Sequence, residues 1–181
     1  MPTVLVPIAN GTEEMEAVII IDILRRAQWS VVVAGVDDGL ITASRRVCLM
    51  PDKAWRDINP DDFDILMIPG GAPGVKRFMA FPPLLQAIRD FDRAGKWIGA
   101  VCAGPLALQA AGILKGRRVT CHPGVTAQLT VTPRLNDRTV VDGHIVTSQG
   151  AGTTFELALT LVRLAEGLSQ ARVIAEDIVL A

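Results

Sequence analysis

The chain has 181 residues, half of them hydrophobic, enough to bury a layered core without disulfide or metal staples. Eighteen Lys and Arg against 19 Asp and Glu leave a net charge of −1, which excludes the broad basic face of a nucleic-acid binder or a polybasic membrane-surface protein. The three cysteines, Cys48, Cys102 and Cys121, form no C-x-x-C pair, so neither a disulfide framework nor a zinc knuckle is expected, and a reducing cytoplasm is the expected location.

In chain order, Thr3 to Ile8 reads as a strand too short for a signal-peptide core, and Glu13 to Gln28 as an amphipathic helix. Met15, Val18 and Ile19 set that helix's apolar face, with Glu16 near its margin, and Asn10 is placed to cap it. Ser30 to Ala34 is a second buried strand, and Leu40 to Pro51 a hairpin around Ser44-Arg45-Arg46. Asp64 to Ile68 is a strand stopped by Pro69-Gly70-Gly71. Pro82 to Ala94 is a helix, Lys96 to Val101 a strand, Gly104 to Ala111 a helix and Arg118 to Cys121 another strand. Thr139 to Ser148 is a hairpin turned at Asp142-Gly143, and Thr153 to Leu168 a long helix. Apolar strands alternating with helices predict an α/β doubly wound sandwich with a mainly parallel sheet. No composition break divides residues 1–181, so one domain is expected, and no apolar run is long enough to span a bilayer.

Such sheets bind ligands at the carboxyl ends of their strands. The strongest signal there is Gly99-Ala100-Val101-Cys102-Ala103-Gly104-Pro105, a cysteine version of the strand–nucleophile–helix elbow. A nearby helix N-terminus predicts a Cys102 more acidic than a free thiol. The amides of Gly71 and Ala103 are placed to form an oxyanion hole, although a tight turn also explains the glycines. Glu13, Glu14 and Glu16 crowd one helix start, where spacing alone favours a solvated first-turn carboxylate for each. His122 follows a strand on the same edge as Cys102, leaving a Cys–His contact open, whereas His144 reads as a surface-loop residue. Two histidines without a carboxylate at i+3 or i+4 make a metal site unexpected. Cys48 and Cys121 read as structural.

These segments together, with Gly11-Thr12-Glu13-Glu14-Met15-Glu16, His122-Pro123 and Thr147-Ser148-Gln149-Gly150-Ala151-Gly152-Thr153-Thr154-Phe155-Glu156, resemble the ThiJ/PfpI superfamily. The similarity is closest to its parkinsonism-associated deglycase branch and the bacterial YajL relatives, and it covers essentially the whole chain. The resemblance implies a flavodoxin-like three-layer sandwich, a homodimer, a reactive Cys102, a Glu16 hydrogen-bonded to it, and His122 near the pocket. Dimers of that family also bring the arginine equivalent to Arg26 or Arg45 toward the site, which implies a contribution from the partner chain. Ala103 stands where PfpI protease-like members carry histidine, and no His-x-Glu completes an amidotransferase triad, so both of those readings are weak. Gln149 and Ala151 replace the usual arginine and proline.

The implied function is a cysteine-dependent, cofactor-independent glyoxalase or deglycase acting on methylglyoxal, glyoxal or early glycation adducts of proteins. The alternative is a redox-responsive chaperone or peroxide sensor working through oxidation of Cys102. Neither requires a metal or an organic cofactor.

Overall fold

The structure, a computed structural model, describes residues 1–180. The chain runs β1 (Thr3–Ile8), α1 (Glu14–Arg26), β2 (Ser30–Gly35), β3 (Ile41–Thr42), β4 (Cys48–Leu49), β5 (Lys53–Ala54), β6 (Ile65–Ile68) and α2 (Ala72–Met79). It continues through α3 (Pro82–Ala94), β7 (Trp97–Val101), α4 (Pro105–Ala111), β8 (Thr139–Asp142), β9 (Ile145–Ser148), α5 (Thr154–Glu166) and α6 (Leu168–Asp177). Seven strands form one sheet in the order β5-β2-β1-β6-β7-β9-β8, parallel throughout except for the β8–β9 hairpin. β3 and β4 pair separately as the antiparallel excursion read from residues 40–51.

The sheet is covered on both faces because its central strands are apolar throughout, Thr3 at the start of β1 excepted. Leu5, Leu66, Ile68, Ile98 and Ala100 point to one side, where they meet Val75 and Phe78 of α2, Leu84, Ile88 and Phe91 of α3, and Leu106 and Leu108 of α4. Val4, Val6, Ile65 and Met67 point to the other, against Ile20, Ile23 and Leu24 of α1, Leu157 and Leu161 of α5, and Ile174 of α6. Each large side chain removed from water in this way contributes about 2 kcal/mol. The result is the flavodoxin-like three-layer sandwich.

Three local expectations are corrected. The segment Arg118–Cys121 is not a strand: it carries a single bridge, Val119 with Arg134. Both flanks of β9 are already taken by β7 and β8, so the Thr120 N–H donates to the Thr147 hydroxyl instead of a ladder carbonyl. Its apolar residues are core residues nonetheless, with Val119 and Cys121 fully buried. Asn10 does not cap α1; Glu13 holds that position without a side-chain cap bond. The Asn10 side chain accepts the Thr42 N–H and donates to Asp37, fastening the hairpin to the end of β1. Finally, α1 is rotated from the expected phase. Met15 and Val18 are exposed, whereas Glu16, Ala17, Ile20, Ile23 and Leu24 are buried.

The chain reverses its winding between β1 and β6. From β1 it crosses to β2 on one side, and later elements build outward through β6, β7 and β9 on the other. The loops leaving β1, β6 and β7 therefore meet at one end of the sheet, at the topological switch point.

Candidate active site

Cys102 is the residue immediately after β7 and has φ of 62°, a left-handed conformation that a non-glycine side chain adopts at a cost. The elbow is pinned on both sides: the Cys102 N–H donates to Ser148 O (3.0 Å), and its carbonyl accepts the His122 N–H (2.9 Å). This turn lifts the half-buried thiol off the sheet toward the loops after β1 and β6.

Glu16 comes from the first turn of α1 and is 1% exposed. One carboxylate oxygen accepts the Gly70 N–H at 2.7 Å, and the Cys102 thiol faces the same carboxylate. Burial raises the Glu16 carboxyl from its ordinary 4.5 to about 7, against the pull of these two donors. Burial, reinforced by the adjacent carboxylate, pushes the Cys102 thiol up to about 12, against the N–H groups of Gly71 and Ala103 that point to its sulfur.

The acidic thiol expected from the helix start is thus corrected for the state with Glu16 ionised, because a desolvated carboxylate outweighs the two amides. The groups are coupled, and the proton lost near pH 7 belongs to the pair. Above that pH the pair holds one negative charge and one proton. The thiolate forms when the proton stays on Glu16, whose O–H then donates a hydrogen bond to the sulfur.

Glycine is obligatory at both positions after β6. A Cβ on Gly70 would lie 2.5 Å from the Glu16 carboxylate and 2.6 Å from the Cys102 Cβ. Gly71 has φ of 88°, and a Cβ there would overlap the Gly11 carbonyl and the Glu13 N–H. Gly70 was not singled out within Pro69-Gly70-Gly71 by sequence reasoning, since its importance is steric and appears only once α1 and β7 are packed against it.

The cavity over Cys102 has a volume of about 560 Å³ and is lined by Glu13, Glu16, Ser44, Arg45, Gly71, Ala72, Pro73, Ala103, His122, Val125 and Ala151 among others. All five residues expected at the site (Cys102, Glu16, His122, Gly71 and Ala103) therefore meet in one place. His122 is exposed at the rim. Its Nδ1 accepts the Gly124 N–H at 3.0 Å, so the neutral ring carries its proton on Nε2 and presents a donor rather than a base.

Arg45 reaches the cavity from the hairpin of its own chain, whereas Arg26 is held away by Asp22 and Asp177. The hairpin is locked to α1 by the Ser44 hydroxyl, which contacts Glu13 and Glu14, and by the Arg45 N–H to Glu14. Gln149 does not line the cavity; its amide donates to the carbonyls of Asn136 and Asp137, so its substitution for arginine alters a loop anchor. Cys48 is exposed on the hairpin and Cys121 is buried, both away from the cavity lining. His144 is not a free loop residue, for its Nε2 lies 2.9 Å from Asp92, which also binds Arg117. No cluster of His, Cys, Asp and Glu among the described residues is arranged to hold a metal.

The sequence matches the DJ-1/PfpI family over residues 2–164. It is 40% identical over 163 residues to Protein DJ-1 homolog B of Arabidopsis thaliana, covering 89% of this chain and 37% of that longer protein. Identity to the Parkinson disease protein 7 homolog of Danio rerio is 36% over 97% of this chain and 96% of the relative. Glutathione-independent glyoxalase DJR-1.2 of Caenorhabditis elegans is 36% identical over 87% of this chain and 85% of its own. The solved structure of oxidized DJ-1 from Toxoplasma gondii superposes with a TM-score of 0.95 at 38% identity, each chain fully covered. Against the seven-stranded flavodoxin-like sheet, the cysteine elbow after β7 and this extent of similarity, the chain belongs to the DJ-1/PfpI family.

Proposed function

We propose that the protein is a cofactor-independent glyoxalase for small α-oxoaldehydes such as methylglyoxal, with Cys102 as nucleophile and Glu16 as the proton carrier. The observation that carries this reading is the buried Glu16 carboxyl packed with the Cys102 thiol, a pair that holds one proton between its two members above about pH 7. With the proton on Glu16, the thiolate adds to the aldehyde carbon and Glu16 protonates the resulting oxygen, giving a hemithioacetal and a carboxylate. That carboxylate takes the proton from the former aldehyde carbon and returns it to the neighbouring carbon, while the hydroxyl proton passes from the first oxygen to the second, converting the hemithioacetal to a 2-hydroxy thioester. Water, deprotonated by Glu16, then displaces the thiolate. The sum is an oxoaldehyde plus water giving a 2-hydroxy acid, with both side chains restored.

The amides of Gly71 and Ala103, which line the cavity with Cys102, are suited to hold the developing oxyanion. His122 is suited to donate from Nε2 to a substrate oxygen. In a hemiaminal adduct of a protein amine the thiolate would replace the nitrogen at the former aldehyde carbon, Glu16 protonating the departing amine, and the same hemithioacetal would result. The relative in C. elegans named as a glutathione-independent glyoxalase supports this class of reaction. The homodimer expected for the chain is supported by the exposed Met15 and Val18 on α1 and Val47 and Met50 on the hairpin, apolar surface that a second copy would cover.

The test is lactate formed from methylglyoxal in amine-free buffer without glutathione. Many lactates per wild-type chain and none from Cys102→Ser are expected, and equal rates from the two proteins would refute the reading. The second reading, a peroxide sensor, is favoured by the amides around the sulfur, which would equally stabilise a sulfinate; it predicts stoichiometric oxidation of Cys102 and no lactate.

A further inference from the structure

A second cavity of about 560 Å³ adjoins the first between α2 and the segment after His122. The two share Ala72, Pro73, Ala103 and Val125 as lining residues. Beyond these the second cavity is floored by Val75 (1% exposed) and Leu106 (4% exposed), with Met79, Lys76 and Gln128 at its sides. No ion pair engages Lys76 among the described residues, so its aliphatic stem is available as wall and its ammonium can remain in solvent. The side of the reactive cavity toward the hairpin is of opposite character, carrying Glu13, Glu16, Ser44 and Arg45.

An aldehyde bonded through C1 to Cys102, with its oxygen at the Gly71 and Ala103 amides, must send the substituent on C2 toward one side or the other. A hydrocarbon group sent toward Glu13 and Arg45 would strip these charged groups of water without replacing its hydrogen bonds, whereas one sent past Ala103 and Val125 buries apolar surface at no such cost. A methyl group fills almost none of that space. We infer that the Val75–Met79–Leu106–Val125 cavity is a substituent subsite, which makes the enzyme selective for α-oxoaldehydes bearing an aromatic or branched apolar group over methylglyoxal. This assignment rests on the aldehyde chemistry proposed above and names the substrate class for the same site.

The experiment compares kcat/KM for phenylglyoxal and methylglyoxal in the wild-type protein and in Met79→Trp and Gln128→Trp, which fill the second cavity from its half-buried and exposed sides. The wild type is expected to prefer phenylglyoxal by about tenfold or more, the range a few methylene equivalents give in an apolar pocket. Each tryptophan variant should lower kcat/KM for phenylglyoxal several-fold more than for methylglyoxal. Equal kcat/KM for the two aldehydes, or a preference that both variants leave intact, overturns the subsite while the Cys102 reaction stands. If neither aldehyde turns over, the reaction itself falls, and calorimetry with the products mandelate and lactate decides the cavity alone. Mandelate binding about tenfold tighter than lactate, weakened by Gln128→Trp, supports it, and equal or undetectable binding of both overturns it.

Discussion

Replacing Glu16 by Gln isolates the energetic consequence of burying an ionisable group beside the nucleophile. The amide is nearly isosteric, and its oxygen can still accept the Gly70 N–H that Glu16 accepts at 2.7 Å. In the wild type the carboxyl's proton affinity rises from an ordinary 4.5 to about 7 on folding. Between those values the unfolded chain has released the proton and the native chain retains it. Native stability from this group is therefore greatest below pH 4.5 and declines as pH rises to about 7, by about 3 kcal/mol at 1.36 kcal/mol per tenfold change in affinity. It makes no difference whether carboxyl or thiol keeps the remaining proton above that pH, because the loss belongs to the pair.

Glu14 and Asp64, whose carboxyls lie below their ordinary range, act in the opposite sense, so the quantity to read is the difference between the two proteins. Denaturant unfolding at half-unit steps from pH 4 to 8 should show the stability of Glu16→Gln relative to wild type increasing by about 3 kcal/mol across the window and then levelling. A difference that stays flat with pH would refute the assignment of the raised carboxyl to Glu16.

Two further substitutions probe the cradle. Gly70→Ala places a methyl group 2.5 Å from the Glu16 carboxylate and 2.6 Å from the Cys102 Cβ, so it should separate them, cost roughly 1–3 kcal/mol and reduce dicarbonyl turnover about 100-fold; wild-type turnover in a folded variant would show that their contact is dispensable. Because Cys102 sits at φ of 62°, Cys102→Gly should be about 1 kcal/mol more stable than Cys102→Ala by thermal or urea unfolding, both lacking sulfur. An alanine variant as stable as the glycine variant would mean that the elbow relaxes instead of holding strain.

The sheet and its reactive edge were readable because buried parallel strands leave uninterrupted apolar runs, such as Ile65–Ile68 and Trp97–Val101, each ending in small residues. Other features depend on what packs where. α1 presents apolar residues all round, including Met15, Val18, Ile19, Ile20 and Ile21, so periodicity could not decide which side faces the sheet, nor that Glu16 would be on it. α2 went unread because Ala72-Pro73-Gly74 continues the turn signal of Pro69-Gly70-Gly71, and α6 because its buried residues reduce to Ala171 and Ile174. Arg118–Cys121 has the composition of a strand and the burial of one, but the neighbouring positions were occupied. The elbow located Cys102 correctly, yet its proton affinity depends on Glu16, 86 positions earlier in the chain, and no local pattern carries that distance.

The loops after β1 and β6 touch main chain to main chain. Gly71 lies against the Gly11 carbonyl and the Glu13 N–H, and the Glu13 N–H donates to the Gly70 carbonyl at 3.0 Å. No rotamer stands between them, so the distance from the start of α1 to the loop after β6 is set by main-chain contact and not by the size of any side chain. Around such a fixed gauge, divergence is confined to the rim. Exchanges at Arg45, Ala72, His122 or Gln128 can alter what enters and how it lies, while the proton-sharing pair keeps its separation. One cradle can in this way be kept while the groups around it change.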